Sequence, residues 1–371
     1  MPSAADSSRG PNTVWLSSLS PWPEEFGLAT MSELLVSLGH PERSFRSIHV
    51  VGTNGKTTTT KRIEALLAGE GVPTGATISP HVRGWAERIS VNGVAADLER
   101  ALGRVRAPAE SLRATQFEVI TAAAFAEFAA AGVELAAVEA GLGGRYDATN
   151  VISSEVVVLT NVALEHTRWL GSTRELIARE KLAVIAPGAK VVLGEGEWEA
   201  LAREAGAGSV AIVTPEELSR RAVELVLGRT LAAETNEVTV PGRLEWRGER
   251  ELWDGAHNPA GVAWLVRQLP RHDWTLVCSI LADKDVDSML ETLAPLASTF
   301  VATCCSSPRA LPAGELAARA ESFFERVETV DDPARALVRG RELAAPDGRL
   351  LVTGSLYLLA DLASIEEAVG E

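Results

Sequence analysis

Residues 47–67 read SIHVVGTNGKTTTTKRIEALL, and the order of residue types along this stretch decides the fold. Ile48, Val50 and Val51 make an apolar, β-branched run suited to a buried strand. The run breaks at Gly52, and the loop Gly52-Thr53-Asn54-Gly55 delivers Lys56 and four threonines into a helix-forming segment. A strand, a glycine-bearing loop and a helix N-terminus form a phosphate cradle. Loop N–H groups and the positive end of the helix dipole meet the anion, and Lys56 reaches the outer phosphates. The hydroxyl of Thr57 or Thr58 is then placed to touch a magnesium ion. The spacing is shorter than G-x-x-x-x-G-K-[ST], because Val50 stands where the first glycine would be. The loop reads as a binding site for a nucleoside triphosphate.

At 371 residues the chain exceeds the comfortable size of one core, so two domains are expected. An apolar content of 46% with 23% charged residues is that of an ordinary globular protein. No apolar stretch has membrane-spanning length, since the Ala-rich segment 119–131 carries Glu127 and reads as a helix. No membrane role is expected. The first ten residues, MPSAADSSRG, lack the apolar centre of a secretory signal and are expected to form a disordered tip. Cys278, Cys304 and Cys305 make an odd set with two adjacent members, neither a disulfide framework nor a zinc spacing, so a reducing cytoplasm is expected. A net charge of −15 disfavours a nucleic-acid surface and repels anionic substrates. Any nucleotide must be held by local positive charge and magnesium. Nothing in the chain demands a partner, and a monomer is expected.

Outward from the loop, β-branched runs alternate with helical patterns, as in a parallel α/β sheet. Strands are expected at 47–51, 74–77, 135–138, 156–160 and 190–193, with helical stretches at 118–131 and 173–185. A helical pattern at 216–231 runs into AAETNEVTVPGR, which is polar and turn-rich. Alternation restarts with strands at 252–253, 275–280, 299–303 and 350–352. The reading is an α/β protein with a boundary near 240–243. Residues 1–240 form an N-terminal P-loop ATP-binding domain with a mostly parallel sheet, and 241–371 a smaller Rossmann-like α/β domain.

Three strand ends carry polar residues, and ligands of open α/β sheets gather at carboxyl ends of strands. In 133–150, VELAAVEAGLGGRYDATN, Glu139 follows the strand and can hold magnesium, while Gly141, Gly143 and Gly144 allow close backbone approach to a ligand. The other reading is a solvated glutamate beside a flexible turn. In 156–171, VVVLTNVALEHTRWLG, Asn161 and His166 lie past a buried strand. A single histidine is more often structural than a ligand. Ser79 of SPH follows the strand at 74–77 and needs a partner site to be more than a turn residue.

Taken in order, HVVGTNGKT, ISPH, QFE, EAGLGGRYDATN, LEH, REK, PGRLE, WDGAHNP, DKD and GSLY run from His49 to Tyr357. In this succession the chain resembles the folylpolyglutamate synthase / dihydrofolate synthase family of the Mur ligase superfamily. The resemblance implies a Mur ligase-type ATP-binding domain, a C-terminal amino-acid ligase domain, and ATP and Mg2+ as cofactors. It implies that Gly52, Thr53, Asn54, Gly55, Lys56, Thr57 and Thr58 hold the triphosphate. One magnesium would be bound by Ser79, Glu139 and His166. A second metal would involve Lys181 of REK as a carbamate, which requires a neutral amine and so a buried, cation-flanked setting. Without the resemblance Lys181 reads as a surface lysine on a helix. Arg243 and Asp254 would complete ATP recognition, with His257 near the phosphates or the incoming amino acid. An Asx-type turn explains the Gly, Asn and Pro of DGAHNP but not its Asp–His pair. Ser355 would bind the carboxylate of glutamate, although N-capping explains it equally well. Thr115, Glu118 and Tyr146 would face the pterin substrate.

The implied reaction joins L-glutamate to a folate or pteroate carboxylate through an acyl phosphate, with Lys56, Lys181 and His257 as the catalytic set. Acyl phosphates hydrolyse in water, and closure of two domains would exclude it. The chain departs from the family's pattern in several places. GKTT stands for GKGS, Ile78 precedes SPH where threonine is usual, and LEH replaces LDH. The segment between Lys181 and Arg243 is short, and LSRRAVELVLGRTL offers Ser219 or Arg220 where relatives place an asparagine near the ATP base. A cell-wall Mur ligase is the nearest rival. Only 51 residues precede Gly52, which is expected to be too few for that enzyme's nucleotide-sugar domain. A non-catalytic nucleotide-binding scaffold is the rival of a different class, and it need not keep Lys56, Ser79, Glu139, His166 and Lys181 together.

Overall fold

The computed structural model describes residues 10–231, 238–270, 273–344 and 346–370. Residues 1–9 of the expected disordered tip, and 232–237 of the turn-rich passage, lie outside the described residues. The chain divides into two compact units, Met1–Pro80 with Trp85–Val238, and His81–Gly84 with Thr239–Glu371. The second unit thus includes a short segment that interrupts the first in sequence.

The first unit begins with α1 (Pro11–Ser18), α2 (Ala29–Ser37), β1 (Arg46–Val51), α3 (Lys56–Gly69) and β2 (Thr74–Thr77). A hairpin of β3 (Ile89–Val91) and β4 (Val94–Ala95) leads to α4 (Leu98–Leu112), α5 (Gln116–Ala131) and β5 (Leu135–Glu139). Then come β6 (Val156–Leu159), α6 (Thr167–Leu170), α7 (Arg174–Leu182), β7 (Lys190–Leu193), α8 (Glu199–Glu204), β8 (Ser209–Ile212) and α9 (Leu218–Leu227). The eight strands form one sheet in the order β4-β3-β2-β5-β1-β6-β7-β8. All pairs are parallel except those of β3, which runs antiparallel to both β2 and β4.

β1 sits between β5 and β6, and every residue after Arg46 is buried. Strands covered on both faces carry unbroken apolar runs, which is why Val50, Val51, Val156 and Val158 follow no alternation. Register pairs Val50 with Glu139, so the first polar residue of β5 falls beside the last residues of β1. α5 is Ala-rich and buried along most of its length, and small side chains let it lie close to the sheet. At Gly75 a Cβ would come 2.6 Å from the Phe128 ring.

The second unit contains β9 (Glu245–Arg247), β10 (Glu251–Trp253), α10 (Pro259–Gln268), β11 (Trp274–Cys278), α11 (Val286–Leu293) and β12 (Ala297–Ala302). It ends with α12 (Ala313–Ala320), β13 (Arg326–Thr329), α13 (Pro333–Ala344), β14 (Arg349–Thr353) and α14 (Leu356–Gly370). Its six strands are ordered β13-β12-β11-β14-β10-β9, parallel except for β9 against β10. β14, last in sequence, lies between β11 and β10, so the strand order reverses there. Among the described residues no helix is long and apolar enough to cross a membrane.

Candidate functional site

The phosphate loop leaves β1 at Gly52 with φ +147, a backbone region that side chains disfavour. A Cβ there would lie 1.9 Å from Thr160 Oγ1. The chain after β6 grips the loop. Thr160 Oγ1 donates to Asn54 O at 2.7 Å, and Asn161 Nδ2 donates to the same carbonyl at 3.1 Å. In return Thr53 N donates to Asn161 O at 2.9 Å and Asn54 N to Asn161 Oδ1 at 3.0 Å. Gly55, left-handed at φ +82, turns the chain into α3. No side chain caps that helix, which leaves its first N–H groups facing the loop. Lys56 Nζ folds back onto Thr53 O at 3.2 Å.

Thr57 Oγ1 donates to Glu139 Oε1 at 3.0 Å, and Ser79 N donates to Glu139 Oε2 at 3.1 Å. The fold therefore brings together the helix hydroxyl, the carboxylate ending β5 and the backbone of SPH, with Glu139 only 2% exposed. Lys181 is not on the surface. It is 5% exposed at the end of α7, and Nζ donates to Gly52 O at 2.7 Å. Burial, with the charge of Lys56 adding to it, pushes the Lys181 amine down to about 7. His166 stands at the N-terminus of α6 with φ +52, its Nε2 3.7 Å from Glu165 Oε1.

The oxygen donors suit magnesium. Thr57 and Glu139 can supply two hard ligands, with phosphate and water for the rest. Among the described residues no three His, Cys, Asp or Glu side chains form a ready-made cage.

The glycine-rich segment after β5 is held by Asp147, which sequence reading passed over. Its Oδ2 accepts from Leu142 N at 2.7 Å, and its Oδ1 from Thr149 N at 3.0 Å and Thr149 Oγ1 at 2.5 Å. Burial pushes this carboxyl up, with those hydrogen bonds opposing. Thr149 Oγ1 also meets His49 Nε2 at 2.8 Å. Since the hydroxyl's one proton goes to Asp147, His49 must donate from Nε2, and its Nδ1 is buried without a partner.

Thr115 and Glu118 bond to each other. Glu118 Oε2 accepts from both Thr115 N and Oγ1 at 2.8 Å, a capping box at the start of α5. Tyr146 is 54% exposed on the loop after Gly144. Ser219 is buried in α9, where Oγ donates to Thr59 O of α3 at 3.3 Å.

In the second unit Arg243 follows the Pro241-Gly242 turn, and Nη1 donates to Gly242 O at 3.0 Å. Asp254 follows β10 and is buried, accepting from Leu244 N at 2.8 Å and Ala256 N at 2.9 Å. Burial pushes its carboxyl up, and Arg243 is the largest opposing influence. His257 Nδ1 is 2.7 Å from Gly255 O, and Asn258 caps α10 by accepting from Gly261 N at 2.8 Å. Ser355 is 1% exposed, and its Oγ accepts from Tyr357 N at 3.1 Å, so it does bond at the start of α14.

Comparison with known proteins finds two family matches along the chain. Residues 50–193 match the Mur ligase middle domain, and residues 242–356 match the Mur ligase glutamate ligase domain. A dihydrofolate synthase/folylpolyglutamate synthase of Mycobacterium tuberculosis is 32% identical, over 84% of this chain and 82% of that protein. A crystal structure of M. tuberculosis folylpolyglutamate synthase complexed with ADP and AMPPCP superposes with a TM-score of 0.87 at 29% identity, covering 95% of this chain and 98% of that one. A bifunctional folylpolyglutamate synthase/dihydrofolate synthase with Mn, AMPPNP and L-glutamate bound gives 0.85 at 26% identity, covering 97% and 99%.

Proposed function

The chain belongs to the dihydrofolate synthase/folylpolyglutamate synthase family, and on that premise we propose how its own residues carry the reaction. It is an ATP-dependent ligase that joins L-glutamate to a pterin or folate carboxylate through an acyl phosphate. The observation that carries the proposal is the meeting of Thr57 with Glu139 at 3.0 Å beside a loop whose Gly52 carbonyl accepts from Lys181.

The residues Gly52–Thr58 cradle the triphosphate through loop N–H groups and the open N-terminus of α3. Lys56 leaves Thr53 O for the outer phosphates as charge shifts onto the transferred group. Thr57, Glu139, Ser79 and His166 would hold one magnesium, and Lys181, as a carbamate, a second. When bound, magnesium offsets the charge on the phosphoryl oxygens and the repulsion of the attacking carboxylate. The buried, partly neutral amine of Lys181 suits addition of CO2, because only the free base reacts. From the second unit we assign Arg243 and Asp254 to ATP, His257 to the phosphates or the amino acid, and Ser355 to the carboxylate of glutamate. Thr115, Glu118 and Tyr146 are assigned to the pterin side. For Thr115 and Glu118 this means shaping the wall of a pocket, since their polar atoms serve each other. The substrate carboxylate attacks the γ-phosphorus of ATP and ADP leaves. The neutral glutamate amine then attacks the acyl carbon, and the bond from that carbon to the phosphate oxygen breaks. The nitrogen gives up one proton to the departing phosphate or to water as the amide forms.

We also infer a cytoplasmic monomer acting on folate or pteroate, without nucleic acid. The free state of Cys278, Cys304 and Cys305 supports the compartment. ADP release measured with pteroate or folate, with and without glutamate, tests the function. Turnover that needs both substrates is expected, and tight ATP binding with no turnover would favour a scaffold.

A further inference from the structure

Glu245 opens β9, and no step above uses it. It is 5% exposed, an unusual place for a carboxylate unless it is fully engaged. Both oxygens are occupied within the second unit. Oε2 accepts from Gly242 N at 2.7 Å. Oε1 accepts from Arg83 Nη2 at 2.6 Å and lies 3.1 Å from Arg247 Nη2. Burial works against the charged form, but Gly242, Arg83 and Arg247 together hold this carboxyl below its usual range.

Gly242 leads to a residue assigned to the nucleotide. Gly242, at φ +65, is the middle of the turn that carries Arg243. A Cβ on it would come 2.8 Å from Leu359 and 3.0 Å from Val82, so the turn is seated against both. Val82 and Arg83 belong to the His81–Gly84 segment that the second unit borrows from the middle of the first. One buried carboxylate therefore holds the Arg243 turn, and Arg83 holds that carboxylate.

We propose that Glu245 is a positioning residue for nucleotide binding, setting Arg243 through Gly242, with Arg83 holding the carboxylate in place. The proposal rests on the ligase reading only for the role of Arg243. Calorimetric titration of the full chain with ADP and magnesium, with no pterin or glutamate present, separates the two. If the ligase reading alone fails, no pterin will be turned over but the binding effects will remain.

The variants are Arg83→Met, Arg83→Lys, Glu245→Gln and the double variant Arg83→Met/Glu245→Gln. Where the full worth of a hydrogen bond between charged groups is lost from the bound state, binding weakens by about tenfold or more. Arg83→Met and Glu245→Gln are each expected to weaken ADP binding about tenfold, and the double variant no more than the worse single one. Arg83→Lys should recover most of the loss. In turnover, the KM for ATP should rise while the KM for glutamate stays within about twofold. ADP binding by Arg83→Met at the wild-type level would overturn the proposal, as would additive losses. So would KM values for ATP and glutamate rising together in step with a falling thermal midpoint. Should Glu245→Gln fail to fold, the Arg83→Met and Arg83→Lys pair decides alone, because Arg83 is half-exposed and Glu245 keeps Gly242 N and Arg247.

Discussion

Replacing Gly52 with alanine tests the phosphate loop at the point where it has least room. The added Cβ would lie 1.9 Å from Thr160 Oγ1 and 3.2 Å from Thr160 N. Relief requires a shift of more than about 1 Å, since a nonbonded Cβ contact needs roughly 3 Å or more. Thr160 cannot simply rotate away, because its hydroxyl bonds Asn54 O at 2.7 Å. The positive φ adds about 1–3 kcal/mol of backbone strain, and over-packing a similar amount. Part of that cost should appear as a lower thermal midpoint. The rest is relieved by moving the loop, and a misplacement of about 1 Å can cost roughly 100-fold in rate. The assay is steady-state ADP release at varied ATP, beside thermal unfolding. Gly52→Ala is expected to lose about 100-fold in kcat/KM for ATP. Adding Thr160→Ala should return part of the stability but little activity, since Asn54 O then loses a donor. A Gly52→Ala protein with wild-type kcat/KM and midpoint would refute the loop geometry as the basis of ATP use.

Lys56→Ala should abolish turnover with the thermal midpoint unchanged, and near-normal turnover would remove Lys56 from phosphoryl transfer. Lys181→Ala should be inactive and partly rescued by short carboxylic acids that replace a carbamate; full unassisted activity would exclude it. His49 bears on stability. Burial takes its imidazole down to about 3, so below about pH 6.5 the unfolded chain takes up a proton that the folded chain refuses. Stability should therefore fall as pH drops from about 6.5 toward 3, by at most about 5 kcal/mol from this group. His49→Gln keeps a donor for Thr149 and should flatten the fall of thermal midpoint with acid; an unchanged slope would count against the buried neutral imidazole.

Central strands were legible because burial on both faces writes them as β-branched runs, as in β1, β5, β6, β7, β11 and β14. Edge elements were not. β4 is exposed, β8 and β13 are half-exposed, and each is too short for an alternating pattern to stand out. α4 was hidden by Pro108 inside the helix. In the proposed site, Gly52, Gly55, Lys56 and Thr57 could be picked out together because they are neighbours in sequence. Thr160, Asp147 and Glu245 could not, since they act through hydrogen bonds to segments that only the fold brings near. Lys181 illustrates the same limit: REKL reads as a surface helix until α7 turns that residue inward onto Gly52 O. For Thr115 and Glu118 the signal was present, because T-x-x-E is the spacing of a capping box.

The most direct test follows oxygen from the acid. Substrate carboxylate labelled with oxygen-18 is incubated with ATP, magnesium, L-glutamate and the protein, and the released phosphate is analysed by mass spectrometry. If the carboxylate is activated by phosphorylation, one labelled oxygen passes into phosphate for each amide bond formed. Unlabelled phosphate accompanying a glutamylated product would contradict activation through an acyl phosphate.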